Sequence, residues 1–513
     1  MELQEVSSSE IIEMIQDKLP ALFFVFSRGR TEILAQELGQ EWDFLNLEEK
    51  REVEKQILAA EAEYPGTFGS PSWRKLRRLL SQGIAYHHAG LLPPVKYLVE
   101  SLYSHRLIWV VFCTETFAAG VNFPAASAVF DSTRKWDGHD FRILQNREFF
   151  QMAGRAGRRG FDQIGHSFIR IDSRFPEQTG FFDDKNVEPV TGRLVISPNT
   201  VLSLLRYKTD AEIERFLSGN FRTYQTVKRQ RESAEKIEHY SKLVSAITSS
   251  LCREQQTLRC PVERAKARRQ LKRSHWRGKN KKKEALQKQL ASLSPKKCRD
   301  IHKCGKTIEQ LRSAREHLNF FKEAYQKASA RVGSTFVEYE EVRDLLEKLG
   351  YVNGREFLPR GLFALELHVQ EILVTELVFS GILEEADPAE AAAVLAGVEF
   401  IPGKNAQGAW LDLPGLREAS QIRWELLKMG VPERLCIWSD LPASLAYAWY
   451  NGASFNELLE LSPMQPGDLF SIFRREIDLL RQIERAAGDN TNLTERIRAI
   501  RGRLDREEVA LCF

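Results

Sequence analysis

Short apolar runs alternate with amphipathic stretches over the first third of the chain, then give way to polar, helix-prone sequence. Ala21–Ser27 (ALFFVFS), Leu107–Thr114 (LIWVVFCT), Ala126–Ser132 (ASAVFDS) and His166–Asp172 (HSFIRID) are apolar with little alternation, while Thr31–Trp42 and Pro94–Ser104 have helical spacing. Strands buried on both faces and separated by helices form parallel sheets. Residues 1–175 are therefore expected to fold as an α/β lobe. The long charged stretch Asp43–Ser81 reads as a helical insertion into it.

Beyond about Val187 the strand signal fades. Thr200–Arg206 and Ala211–Phe216 read as a small helical module after a short extended piece, Leu194–Ile196. Tyr224–Ala330 is polar and helix-prone, with Pro261, Gly278, Pro295 and Gly305 as its few breakers, a pattern expected of long helices folded back near Arg277–Lys283. Val342–Leu349, Leu365–Phe379 and Leu469–Ala486 are amphipathic helical patterns. The domain boundaries expected are 1–175, 176–235, 236–330 and 331–513.

Charge changes this picture more than overall composition does. The 513 residues carry a net charge of only +4, yet the segment from Cys252 to Cys304 holds 18 Lys and Arg against four acids. That block is +14 and leaves −10 for the rest, the footprint of a phosphate-backbone contact or, more plainly, of a solvated basic arm. Arg273 lies within it, and Arg277, Lys279, Lys281, Lys282 and Lys283 lie at its expected tip. Cys252, Cys260, Cys298 and Cys304 flank it almost symmetrically, so a hairpin brings both pairs to its base. Four thiolates suit tetrahedral zinc, with His302 as an alternative ligand, but the intervals are wider than usual and buried unliganded cysteines are the other reading. No stretch approaches the length of a membrane span, and seven cysteines argue for a reducing, cytoplasmic setting without membrane contact.

Chemistry concentrates in Gln151–Gly160, QMAGRAGRRG. Arg155 and Arg158, each after a glycine, are expected on one side of a helix start, where Gly154 and Gly157 let the backbone approach a phosphate. Gly83–Leu91 (GIAYHHAGL) and Thr114–Pro124 (TETFAAGVNFP) each place Gly, Thr, Asn or His beyond a strand, where open parallel sheets bind ligands.

With FVFSRGR (Phe24–Arg30) and YHHAGLLP (Tyr86–Pro93), these stretches resemble motifs IV to VI of superfamily-two helicases, in the branch of the superkiller and exosome RNA helicases. The resemblance continues through EPVTGRLVISPNTVLSLLR (Glu188–Arg206), similar to that family's winged helix. Glu366–Gly397 and Gly467–Ile483 resemble its C-terminal DSHCT helical domain. It implies an α/β RecA-like lobe with a parallel sheet, followed by winged-helix and all-α helical domains with a helical hairpin insertion. It also implies arginine fingers at Arg155 and Arg158 and a phosphate contact at Gln151. Thr114, Gly120 and Asn122, with Gly154 and Gly157, would couple nucleotide state to the strand, and Ser27, Arg28 and His88 would touch nucleic acid. Leu362 stands where the family usually has arginine.

No G-x-x-x-x-G-K-[ST] phosphate loop and no D-E-x-H occur in the chain. The expectation is the C-terminal part of an ATP-dependent helicase, probing RNA or another single strand and sharing ATP and Mg²⁺ with a first lobe found elsewhere. The alternative is a non-catalytic RNA-binding scaffold derived from one.

Overall fold

A computed structural model describes residues 6–118, 125–158, 160, 162–172, 182, 184–251, 268, 288, 290–291, 300–403 and 411–510. Two compact units emerge: residues 1–190 with 345–513, and residues 191–344.

The first unit is built on a parallel sheet of β1 (Ala21–Phe24), β2 (Ile84–His87), β3 (Val110–Cys113), β4 (Ser127–Phe130) and β7 (His166–Ile169), in the order β2-β3-β1-β4-β7. Every residue of β1 to β4 is buried, as the unbroken apolar runs require of strands covered on both faces. β5 (Arg134–Trp136) and β6 (Phe141–Ile143) form a separate antiparallel hairpin. Helix Arg28–Glu41 turns Thr31, Leu34, Ala35 and Leu38 inward, and Pro93–Ser104, started by prolines, buries Val95, Leu98, Val99 and Leu102. The expected insertion is the helix pair Leu47–Glu63 and Pro71–Leu80, capped by Asn46 and Ser70.

The C-terminal half of this unit is helical. All eight residues Ala389–Ala396 of helix Pro388–Ala396 are buried, so it runs through the middle of the bundle. Helix Pro466–Ala487 lays Leu469, Ile472, Phe473, Ile477, Leu480 and Ile483 into the core beside Leu493, Ile497 and Ile500 of Thr491–Leu504. Fully buried Trp449 stacks on Phe473 at 5.5 Å and donates from Nε1 to the Leu504 carbonyl at 2.9 Å. The reading of Leu365–Phe379 as one helical stretch is corrected. Helices Pro359–Leu365 and Glu371–Phe379 are separate, because Gln370 takes a left-handed backbone at φ 43° that breaks the ladder.

In the second unit, helices Pro198–Tyr207 and Asp210–Gly219 precede the long Phe221–Ser250, and Ile301–Arg331 returns alongside it. Gln230 bonds Ser329 at 3.0 Å, and Tyr240 stacks on His317 and Phe321 at 5.2 and 5.7 Å, so the pair runs antiparallel. Arg222 ties its base to Glu338 at 2.6 Å. Residues 187–235 contain helices and no strand.

Candidate functional site

Because the sheet is parallel, the residues that follow β1, β2 and β3 share its carboxyl edge. Ser27 caps helix Arg28–Glu41 by accepting from the Arg30 N–H. Thr114 donates its N–H to the His87 carbonyl at 3.2 Å, and its hydroxyl meets that of Thr116 at 2.8 Å. His88 is 1% exposed: Gly90 N–H donates to Nδ1 at 3.1 Å, which leaves the proton on Nε2, 3.2 Å from Glu32. Asp131, just past β4, takes Arg30 at 2.5 Å and Arg170 as well. Gly120 and Asn122 lie outside the described residues.

The arginine loop sits elsewhere. Helix Asn146–Ala153 carries exposed Gln151 in its last turn, and Arg155 and Arg158 follow its end, so the expected helix start is corrected to a helix exit. The reason is local: Gly154 closes the helix, and Gly157 at φ 97° turns the chain out of it. Ala125 N–H donates to the Arg155 carbonyl at 2.9 Å, and Gly157 N–H donates to the Ala125 carbonyl at 2.8 Å, which fastens the loop at the amino end of β4. A Cβ on Gly165 would lie 2.4 Å from the Ala156 oxygen, so the approach depends on glycine there. The strand-contact candidates and the arginines thus occupy different ends of the sheet.

Arg158 grips Asp162 through Nε and Nη2, both at 2.8 Å, while its own N–H donates to the same carboxylate. This fork pulls the Asp162 carboxyl down to about 2. A guanidinium that closes two parallel bonds on a carboxylate has the geometry for phosphate oxygens. The helix carrying Gln151 is anchored by Glu148, which receives Arg142 in two bonds at 2.8 Å and Lys135 at 2.8 Å. Burial pushes the Glu148 carboxyl up, but Arg142, Lys135 and the Gln145 N–H outweigh it and bring it from 4.5 to about 2. The stability this supplies is complete above pH 4.5 and disappears as pH falls through about 2. Glu148→Gln should therefore lower the unfolding midpoint at neutral pH and flatten its decline across that window, as a pH series of thermal melts would record.

One set of contacts went unread in the sequence. Arg28, expected to face strand phosphates, pairs with Asp468 at 2.7 Å and with Gln465 at 3.2 Å. Gly467 N–H donates to the Gly90 carbonyl at 2.8 Å, and a Cβ on Gly467 would stand 2.2 Å from the Ala89 oxygen. The first turn of helix Pro466–Ala487 thus rests directly on the loop after β2. A signal existed in Gly467, since glycine inside a helix costs about 1 kcal/mol relative to alanine and asks for a packing reason. Leu362, in helix Pro359–Leu365, is 48% exposed.

Arg273, Arg277, Lys279, Lys281, Lys282 and Lys283 lie outside the described residues, as do Cys252, Cys260 and Cys298. Cys304 is half-buried and packs on Ile308 with Leu251 and Ile301. Among the described residues no group of three or more His, Cys, Asp or Glu is placed to hold a metal ion, and no helix is long and apolar enough to cross a membrane.

Residues 355–511 match the DSHCT (NUC185) domain family. The chain is 35% identical over 234 residues to human Superkiller complex protein 2, covering 45% of this chain and 18% of that one. Human Exosome RNA helicase MTR4 is 35% identical over 243 residues, 46% of this chain and 23% of the relative. Antiviral helicase SKI2 of Saccharomyces cerevisiae is 38% identical over 221 residues, 41% and 17% of the two chains. These alignments span about a fifth of each relative's length. With its parallel sheet and its helical C-terminal half, the chain is similar to the superkiller and exosome RNA helicases and carries a DSHCT domain over residues 355–511.

Proposed function

We propose that this chain works as the second half of an ATP-dependent RNA helicase. Residues 1–175 would be the second RecA-like lobe, 176–235 a winged-helix module, 236–330 a basic hairpin and 331–513 the DSHCT helical domain. The observation that carries the reading is the arginine loop, fastened to β4 with Arg158 already forked on a carboxylate. In this role Arg155, Arg158 and Gln151 meet the ATP phosphates. Thr114, Gly120 and Asn122 pass the nucleotide state to RNA held near Ser27 and Arg28. Bound ATP with Mg²⁺ supplies the phosphoryl group, and the Mg²⁺-holding carboxylates come from a first lobe in another polypeptide or a preceding segment. The sparse cysteines favour a reducing, cytoplasmic setting.

The purified chain should show no ATPase above background and should gain RNA-stimulated turnover when a first lobe is added, since catalysis by positioning needs both walls of the site. Vigorous hydrolysis by the chain alone would overturn the reading. The absence of a phosphate loop from the sequence also favours a second reading, a non-catalytic RNA-binding scaffold. In that case RNA would bind and no first lobe would restore turnover.

Two binding predictions follow from the proposed RNA contacts. Asp468→Ala should free Arg28 for phosphate and steepen the salt dependence of RNA binding by roughly 0.7 in log–log slope, the value of one phosphate contact on a single strand. Because the ion pair is half-exposed, the same change should cost no more than about 1 kcal/mol of stability. Changing Lys279, Lys281, Lys282 and Lys283 together to Ala should shrink that slope and weaken binding about equally for all sequences. An unchanged slope would mean that the hairpin tip does not touch RNA.

A further inference from the structure

We propose that Glu188 is a positioning residue for the arginine loop, and that the chain leaving the lobe thereby governs how Gln151, Arg155 and Arg158 are presented to ATP phosphates. The inference rests on the proposed phosphate role of those three residues and adds to it the control of their placement. The Glu188 carboxylate accepts from the Asn146 N–H at 2.9 Å and from the Arg147 N–H at 3.0 Å, at the start of helix Asn146–Ala153. These are two of the amides that an α-helix leaves without a partner of its own. The Arg147 N–H above all pulls the Glu188 carboxyl below the usual range, so it stands charged at the helix end whose dipole favours an anion.

What sets this cap apart is where it comes from. Helices Arg28–Glu41, Leu47–Glu63 and Pro71–Leu80 of the same unit are capped by the residue just before them, Ser27, Asn46 and Ser70. At helix Asn146–Ala153 that residue is Gln145, whose side-chain oxygen is buried with no hydrogen-bond partner among the described residues. The anion comes instead from 42 residues beyond Asn146. Two further contacts lay the same part of the chain on the helix: Asn146 Nδ2 donates to the Asn186 carbonyl at 3.0 Å, and the Phe182 ring stacks on Phe149 at 4.0 Å. Phe149 stacks in turn on Phe130 of β4 at 4.7 Å, which ties the helix to the sheet. Thr191, three residues past Glu188, opens the second unit. A local cap would form whenever the helix does. A cap carried on the exit segment makes the helix depend on where that segment lies, and Gln151 is only five residues from Asn146. A misplacement of about 1 Å can cost roughly 100-fold in rate. Glu148 still ties the same turn to Arg142 and Lys135, so loss of the Glu188 carboxylate should loosen the helix without freeing it.

The first measurement is hydrogen exchange on the purified chain. Glu188→Ala should raise exchange across residues 146–157 by roughly fivefold, the size of a lost helix cap, and leave helix Pro93–Ser104 at the parent's rate. Glu188→Gln, with one oxygen left to accept, should fall between the two, and it carries the same comparisons should Glu188→Ala unfold the lobe. The second measurement is single-turnover ATP hydrolysis after reconstitution with a first lobe. Glu188→Ala should lower the rate at least roughly tenfold while RNA affinity stays at the parent's value. In an Arg158→Ala background the same change should cost a smaller factor, because part of what Glu188 places is already gone. A cap that served stability alone would cost an equal factor in both backgrounds. Parent-like exchange across residues 146–157, a parent-like rate, or equal losses in the two backgrounds would overturn the inference. An inert Arg158→Ala would instead remove the phosphate role, and the exchange result would still decide whether Glu188 holds the loop.

Discussion

Arg158→Ala, in an enzyme reconstituted with a first lobe, is expected to lower ATP turnover by roughly 10³-fold or more while leaving RNA affinity nearly unchanged. The size of the effect follows from what the side chain would do in the proposed role. A guanidinium aimed at oxygens that gain charge during phosphoryl transfer is worth most at the transition state, when water is excluded. The selectivity follows from place, since the arginine loop is fastened at the amino end of β4 while Ser27, Arg28 and Thr114 lie at the carboxyl edge. Arg158→Lys separates charge from geometry: it keeps the cation and loses the fork that now closes on Asp162, so it should recover little of the rate. Single-turnover hydrolysis alongside RNA titration measures both arms. Turnover within tenfold of the parent would remove Arg158 from the phosphate site.

Gly467→Ala is expected to destabilise the first unit by about 3 kcal/mol, the upper end of ordinary overpacking, because what it meets is backbone. Its Cβ would stand 2.2 Å from the Ala89 oxygen and 2.8 Å from both the Gly90 carbonyl carbon and the Leu91 oxygen. A flexible side chain would swing aside. Here the loop after β2 or the whole helix has to move, which breaks the 2.8 Å bond between Gly467 and Gly90 and strains the Arg28–Asp468 pair. Gly502→Ala is the control. That glycine, in helix Thr491–Leu504, has nothing within 4 Å of a new Cβ, and alanine there should stabilise by about 0.5–1 kcal/mol. Urea denaturation of both variants gives the comparison. A Gly467→Ala midpoint equal to the parent's would show that the helix can back away from the lobe without cost.

The sequence alone was enough for the parts whose physics is local. Unbroken apolar runs marked β1, β3 and β4 as strands covered on both faces, whereas β7, read the same way, is a partly exposed strand at the edge of the sheet; the 3.6-residue period marked Arg28–Glu41, Pro93–Ser104 and Pro466–Ala487 as helices. Few breakers and a steady polar pattern foretold the long antiparallel pair of Phe221–Ser250 and Ile301–Arg331. The glycine spacing of QMAGRAGRRG pointed to room for a phosphate beside the backbone; what Gly157 meets in the fold is the backbone of Gly165, and a helix exit takes the place of the expected start.

Only the tertiary structure decided which charges meet. Arg28 finds Asp468 across 440 residues, and nothing in the spacing of either residue names the other. His88 reads as one of two adjacent histidines in a loop, yet folding buries it against Glu32 and Tyr86. Glu476 has the helical position of a core residue and the chemistry of a surface one, and only the packed bundle shows both carboxyl oxygens enclosed. Local patterns follow from the backbone period, which every residue samples with its neighbours in the chain. The pairing of side chains follows from how the helices dock on the sheet, a choice made by shape and burial summed over the whole unit.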